Sequence, residues 1–438
     1  MAGLAEPEVG SYFVANYPPF SVWSRDAVGR DAVPALASPP STAPLGLYLH
    51  IPFCRKRCHF CYFRVYTDKN ARQVEEYLDL VAREWDLLRR TRAIADRPID
   101  FVYFGGGTPS FLSTTQLRSL VERLTAATTW ARAEEITFEC EPGTLTEAKL
   151  QVIRDLGVTR LSLGVENFDD GILEVNGRAH RSPEIGRAYE FARQLGFPQI
   201  NIDLIAGMLG ETDANWRTCI ARTLELEPDS VTIYQLELPF NTTISGDLLK
   251  GEGQFRGQQI ASWDTRRRWM DEAFAALERA GYTVGSAYTA VKDPATTTFI
   301  YRDQLWQGAD LAAIGVASFG HVNGVHMQNV DTWEAYAAAI ERGELPLGRA
   351  YRPSDDERLI RETILQLKRG AIRPSYFEAK FGVDVRERFA GVWRSLQDDG
   401  YLAPGAPDRI ALTRAGLLRV DMLLHRFFLP QHRNVRYT

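Results

Sequence analysis

Cys54, Cys58 and Cys61 stand in the segment His50-Ile-Pro-Phe-Cys54-Arg-Lys-Arg-Cys58-His-Phe-Cys61-Tyr-Phe63, a C-x3-C-x2-C spacing with no fourth cysteine beside it. Three thiolates so placed can hold three irons of one 4Fe–4S cluster and leave the fourth iron open, so that a small molecule can bind the metal and be reduced through it. A structural zinc is the alternative, and it wants a fourth ligand. His59 lies inside the loop, but no second C-x2-C pair follows, Cys140 and Cys219 being isolated. The spacing points to the cluster.

Positioning such a loop is the work of the elements around it. From residue 47 the chain alternates short β-rich runs with helical ones: strands over 47–51, 101–104, 136–139, 160–164, 200–204 and 230–236, and helices near 71–92, 114–127, 146–155, 183–195 and 213–226. Strands alternating with helices imply parallel pairing through right-handed crossovers, here an incomplete (β/α)6 barrel over residues 45–240 in an α/β fold. Cys54 follows the first strand, Gly105 the second, Glu139 closes the third, Glu166 trails the fourth and Asp203 lies in the fifth. Barrel chemistry belongs at the C-terminal strand ends, and these residues fall there. Residues 241–352, with a polar loop from Gly251 to Gln259 and a helix near 262–280, follow no clear alternation; the resemblance of the chain's motifs to a known family implies a barrel extension and substrate loops here. Residues 353–438 read as a helical, winged-helix-like cap with helices over 358–370, 373–381 and 383–399 and a wing at 410–413. Residues 1–44 form an arm whose aromatic stretch, from Tyr12-Phe13 to Trp23, is too apolar for a free tail; it docks on the core or, as the resemblance of the chain's motifs to a known family implies, faces substrate.

The 438 residues, 45% hydrophobic and 24% charged with a net charge of -5, describe an ordinary core-forming chain of two domains or so. The cap carries 15 Lys and Arg against 11 Asp and Glu, spread over its helices, so nucleic acid is not an expected partner. No apolar run reaches the roughly 18 residues of a membrane span and no secretory signal opens the chain, so a reducing cytoplasm is expected.

The cysteine spacing is that of the radical S-adenosylmethionine (SAM) enzymes, and Tyr48-Leu-His50-Ile-Pro-Phe-Cys54 resembles the opening of the oxygen-independent coproporphyrinogen III oxidase family. In order follow Tyr103-Phe-Gly105-Gly-Gly107-Thr108-Pro109, Phe138-Glu139-Cys-Glu141-Pro142, Leu161-Ser-Leu-Gly164-Val-Glu166-Asn, Asn176-Gly177-Arg178 and Asn201-Ile-Asp203-Leu-Ile. The resemblance implies that SAM chelates the open iron and is cleaved to a 5′-deoxyadenosyl radical able to take hydrogen from unactivated carbon. It implies cofactor contacts at Tyr48, Phe60, Gly105, Gly106, Gly107, Thr108, Glu139, Glu166, Arg178 and Asp203. The glycines let backbone approach the cofactor's amino group, and Glu139 meets an amine or ribose hydroxyl. Arg178 and Asp203 have a structural ion-pair alternative, and Tyr48 and Phe60 a core-packing one. A small-molecule substrate, a low-potential electron donor such as flavodoxin or ferredoxin, and oxygen sensitivity also follow from the resemblance.

Two positions depart from the oxidases. Glu166 stands where they carry Gln, and Tyr62-Phe63 follows Cys61 where they continue to a further cysteine. Relatives without that cysteine include the class C radical methyltransferases and the heme chaperones. The expected reaction is accordingly methyl or methylene transfer to an unsaturated or aromatic small molecule, methylating or cyclopropanating it with two SAM molecules bound. Tyr66, His321 and His326 are the candidates for the proton-handling step. Oxidative decarboxylation of coproporphyrinogen and heme carriage, with His321, His326 or His50 as iron ligand, are the alternatives.

Overall fold

The computed structural model describes residues 13–126, 128–239, 242–250, 253–255 and 259–433, so Tyr12 and much of the 251–259 loop lie outside the described residues. Six strands run parallel through the first half: β1 Leu45–Ile51, β2 Phe101–Gly106, β3 Glu135–Cys140, β4 Arg160–Glu166, β5 Gln199–Ala206 and β6 Ser230–Gln235. Helices on one face connect them, as the alternation of the sequence requires. The first, Ala71–Leu88, opens on a capping box between Asn70 and Gln73 and buries Val74, Tyr77, Leu78, Val81, Trp85 and Leu88, a stripe at helical spacing.

Period-two alternation divides every strand between two environments. On β4, Leu161, Leu163 and Val165 pack outward into the helices, while Arg160, Ser162, Gly164 and Glu166 turn into the barrel. The outer residues make the apolar core. The inner ones make the site.

Residues 241–352 do not stand apart from the barrel but extend both edges of its sheet. β7 Thr283–Val284 and β8 Thr289–Val291 add antiparallel beside β6, β9 Asp310–Ile314 adds parallel to β1, and β10 Phe319–Val322, β11 Val325–Asn329 and β12 Leu347–Tyr351 continue beyond it. The resulting order is β12-β11-β10-β9-β1-β2-β3-β4-β5-β6-β8-β7, an open barrel. An unclosed sheet leaves edge N–H and C=O groups that need partners, and these strands supply them.

The cap holds helices Asp355–Leu367, Pro374–Phe381, Val385–Arg388 and Ala390–Asp398 and a two-stranded wing, β13 Ala371–Ile372 with β14 Ile410–Ala411. The single helix expected over 383–399 breaks at Phe389, whose ring packs on Trp393 and Phe427. Val14 and Tyr17 of the arm and Tyr288 and Trp306 of the extension share the core of this cap. Trp23 of the arm stacks on His326, so most of the arm's described aromatics dock, and among the described residues Phe13 alone of them reaches the cavity inside the barrel. No described helix is long and apolar enough to cross a membrane.

Glu84, only 1% exposed, ties the first helix to the extension by accepting hydrogen bonds from Gly315 N at 2.7 Å, Asn329 Nδ2 at 2.6 Å and Tyr336 Oη at 2.5 Å. Burial lifts its carboxyl from the ordinary 4.5 to about 7. The folded protein therefore keeps a proton that the unfolded chain releases, and it loses stability as pH climbs between those values. Glu84→Gln, which has no proton to lose, is expected to gain on the wild type across that interval; denaturant unfolding at several pH values checks this, and parallel pH profiles would refute it.

Candidate active site

The cluster loop is cinched at its neck. Phe53 bridges Tyr66 in parallel, Cys54 N donates to Tyr66 O at 3.1 Å and Tyr66 N to Pro52 O at 2.7 Å. Gly107, just beyond β2, donates to Ile51 O at 2.8 Å, and a Cβ there would stand 2.9 Å from Phe53 O. The loop and the glycine turn are therefore in backbone contact, which fixes how far the cysteines stand from the strand ends.

Side chains complete the anchoring. Thr108 Oγ1 lies 3.3 Å from Cys54 Sγ and Arg178 Nη1 3.3 Å from Cys58 Sγ. Arg55 pairs with Glu141 at 3.0 Å, and Glu141 also receives His180 at 3.1 Å. Although burial opposes it, hydrogen bonds from His180 and Arg55 hold the Glu141 carboxyl down at about 2. His59, the alternative zinc ligand, faces the loop's other neighbours: Nδ1 meets Val175 O at 3.1 Å and the ring packs on Phe255.

Cys54, Cys58 and Cys61 open into a cavity of about 460 Å³ inside the barrel. Phe60, Gly106, Gly107, Thr108, Glu139, Glu166, Arg178 and Asp203 line the same cavity. Glu139 accepts Tyr103 Oη at 2.6 Å and Gly106 N at 3.2 Å, and burial raises its carboxyl to about 7. Asp203 accepts Ser162 Oγ at 2.8 Å and Asn201 Nδ2 at 2.9 Å, and burial raises it too. Glu166 sits at a β-bulge with φ 65°, a left-handed conformation that a glutamate adopts only under strain, and burial raises its carboxyl to about 7. Its nearest cation is Arg178, at 3.5 Å.

Five of the sequence-derived residues do not line the cavity. Tyr48 lies behind it, its hydroxyl 3.1 Å from His50 Nδ1 and its ring stacked on Tyr103; Gly105 makes room for those rings. Tyr66 is spent at the loop neck, where its hydroxyl accepts Trp333 N at 3.1 Å. His321 and His326 face each other across the β10–β11 hairpin, Nδ1 to Nδ1 at 2.9 Å, and His326 Nε2 meets Tyr17 O at 3.2 Å. Packing consumes these side chains, so the proton-handling assignment of Tyr66, His321 and His326 is corrected, and so is the idea that His321 or His326 offers a ligand to a bound iron. His50 is buried beneath Gly106 and does not line the cavity either.

Several lining residues escaped the sequence reading: Tyr103, Arg160, Ser162, Tyr234, Glu237 and Asp421. Counting by two along β4 from Gly164 finds Ser162 and Arg160. Asp421 arrives from the cap, and nothing local announces it.

Residues 48–221 match the family model described as Radical SAM superfamily. This stretch is similar to a radical SAM domain. Such domains use a 4Fe–4S cluster and SAM, and the three thiols beside a polar, partly charged cavity fit that pair. The chain is 26% identical over 377 residues to the heme chaperone HemW of Bacillus subtilis, covering 85% of this chain and 96% of the relative. It is 26% identical over 413 residues to the oxygen-independent coproporphyrinogen III oxidase of Pseudomonas aeruginosa, covering 90% and 88%. Among solved structures, the coproporphyrinogen III oxidase HemN of Escherichia coli superposes with a TM-score of 0.81 over 95% of this chain and 96% of that one, at 24% identity, a likeness of fold.

These near-full-length relatives overturn the expectation of methyl or methylene transfer. The expectation rested on one replaced cysteine. The side chain now at that place, Phe63, is 48% exposed at the cavity rim and packs at a tilt on Tyr62. A change there leaves the three cluster thiols in place and does not define a reaction.

Gly107→Ala pushes a methyl group against the loop neck and is expected to lower iron and sulfide content after anaerobic reconstitution at least about twofold, since packed backbone yields little. Gly186→Ala, in open space, is the control. Equal loading of the two variants would show that the loop tolerates displacement.

Proposed function

We propose that the chain is an oxygen-independent oxidative decarboxylase of a carboxylate-bearing tetrapyrrole, coproporphyrinogen III being the substrate named for the oxidase relatives. The observation that carries this reading is that the three thiols share one cavity with Glu139, Glu166, Arg178 and Asp203 and with the apolar and aromatic groups Phe13, Tyr234, Tyr288 and Phe299. When bound, the cluster and SAM supply one-electron removal of a hydrogen atom from unactivated carbon.

The chain's own residues do the rest. The Gly106–Gly107 backbone and the Glu139 carboxylate receive the cationic amine of SAM, Arg178 its carboxylate, and Asp203 its ribose hydroxyls. Phe13, Tyr234, Tyr288 and Phe299 pack against the pyrrole rings of the macrocycle and exclude water. A propionate that loses one hydrogen atom from carbon and one electron to an external acceptor becomes a vinyl group and CO2. Lys56 and Arg57, beside the cluster cysteines at the cavity mouth, suit the approach of an acidic electron carrier such as a flavodoxin or ferredoxin. The chemistry calls for a reducing, cytoplasmic setting.

The heme-carrier reading of the other relative lacks support from the site, because no histidine is among the residues lining the cavity. Anaerobic turnover with reductant, SAM and coproporphyrinogen III is expected to give 5′-deoxyadenosine, CO2 and a product lighter by CO2 and two hydrogens. Heme uptake without SAM cleavage would replace this reading by the carrier one.

Because burial holds Glu139 and Glu166 near 7, SAM affinity is expected to rise as pH climbs through that value and the two carboxyls lose their protons. Glu139→Gln should weaken SAM binding about tenfold at the alkaline end and flatten the profile. Calorimetric titration of the reconstituted protein reads both; an unchanged profile in the variant would remove Glu139 from the cofactor site.

A further inference from the structure

Arg160 opens β4, at the end of the strand opposite Glu166, six residues and about 20 Å of strand away. It is 2% exposed, and it lines the cavity from below. Its guanidinium lies 4.0 Å from the ring centroid of Phe299, which orients the planar fork. Among the described residues its buried Nε has no hydrogen-bond partner, and no carboxylate pairs with it. The three acids whose charges it feels use their oxygens elsewhere. Glu135 accepts Ile300 N at 2.9 Å and Tyr301 N at 3.1 Å, Glu139 accepts Tyr103 and Gly106, and Asp203 accepts Ser162 and Asn201. A buried guanidinium left unpaired is costly, whereas a bidentate carboxylate satisfies it.

We infer that Arg160 is an anion subsite at the cavity floor that holds one carboxylate of the substrate. Ser162 and Thr232, which line the cavity on the neighbouring inner positions of β4 and β6, keep this floor polar. A carboxylate paired with a guanidinium is stabilised as an anion, which opposes its departure as neutral CO2. The subsite therefore takes an arm that the reaction leaves in place, and it sets which other arm reaches the cluster end. The inference rests on the decarboxylase reading for the identity of the substrate, but not for the chemistry of the subsite.

The test uses the full reconstituted chain and a probe with a single carboxylate, 3-(1H-pyrrol-3-yl)propionate, against its primary amide. The wild type is expected to bind the acid about tenfold more tightly than the amide by titration calorimetry. Arg160→Gln is expected to bind both alike and to bind SAM as the wild type does. Arg160→Lys keeps the buried charge that offsets Glu135, Glu139 and Asp203 but loses the planar fork, so it should retain only part of the preference. It also serves if the glutamine variant fails to fold. A preference undiminished from the wild-type value in either variant would overturn the proposal, the carboxylate then being held by the rim residues Arg55, Lys56 and Arg57. A parallel loss of SAM affinity in Arg160→Gln would overturn it in favour of a cofactor contact. Acid preference in a wild type that leaves coproporphyrinogen III unchanged would keep the subsite and reject the decarboxylase reading.

Discussion

Charge buried on the inner face of a parallel sheet is the constraint on which the rest of the molecule turns. Glu139, Glu166 and Asp203 point into the barrel, where desolvation raises all three carboxyls and, among the described residues, no cation forms a close pair with Glu139 or Asp203. Each costs several kcal/mol to ionise in such surroundings unless a partner arrives. The fold bears that cost through the opposite face of the same strands. Leu47, Leu49, Val102, Phe104, Ile136, Phe138, Leu161, Leu163, Ile200, Ile202, Val231 and Ile233 are all buried against helices, at roughly 1.5–3 kcal/mol each. One set of residues secures the sheet so that the alternate set can stay underpaired until ligands bring the complementary charges.

The cluster loop meets a second demand, rigidity without regular structure. Ladder bonds at its neck, Thr108 and Arg178 against two of its sulfurs, and the Arg55–Glu141–His180 chain fix it to β1, β2, β3 and the turn after residue 175. Three thiols held by so many separate strand ends are preorganised for a cluster, so little ordering remains when iron binds. The bulge at Glu166 belongs to the same economy. It interrupts the ladder by one residue beside a carboxylate whose nearest cation is Arg178.

The cavity is closed by parts distant in sequence. Phe13 of the arm donates its backbone N–H to Glu237 beyond β6, and Val14 N reaches Asp421 of the cap at 2.9 Å. Lys368, wholly buried, pairs with Asp421 at 3.0 Å, donates to Val14 O at 2.8 Å and lies over the Phe13 ring at 3.5 Å. Arm, barrel and cap are thus joined through one polar knot at the wall of the site, and each contributes a lining residue.

The amino-acid sequence by itself determined the three-cysteine spacing, the alternation of strands and helices, and the positions of Gly107, Glu139, Glu166 and Asp203 on or beside the parallel strands. These are local signals: ligand spacing, period-two and helical patterning, and a glycine turn. It could not place Tyr66, His321 and His326, because a titratable side chain looks the same in sequence whether it faces a cavity or is consumed by a neighbour's backbone. Nor could one replaced cysteine decide the reaction, since that position lies on the rim. Tertiary structure alone brought Phe13, Arg160, Glu237 and Asp421 to one cavity and, among the described residues, left Arg160 without a directly paired carboxylate. Pairing between residues hundreds of positions apart depends on how the sheet curves and which edge each later strand joins, and no local pattern carries that information.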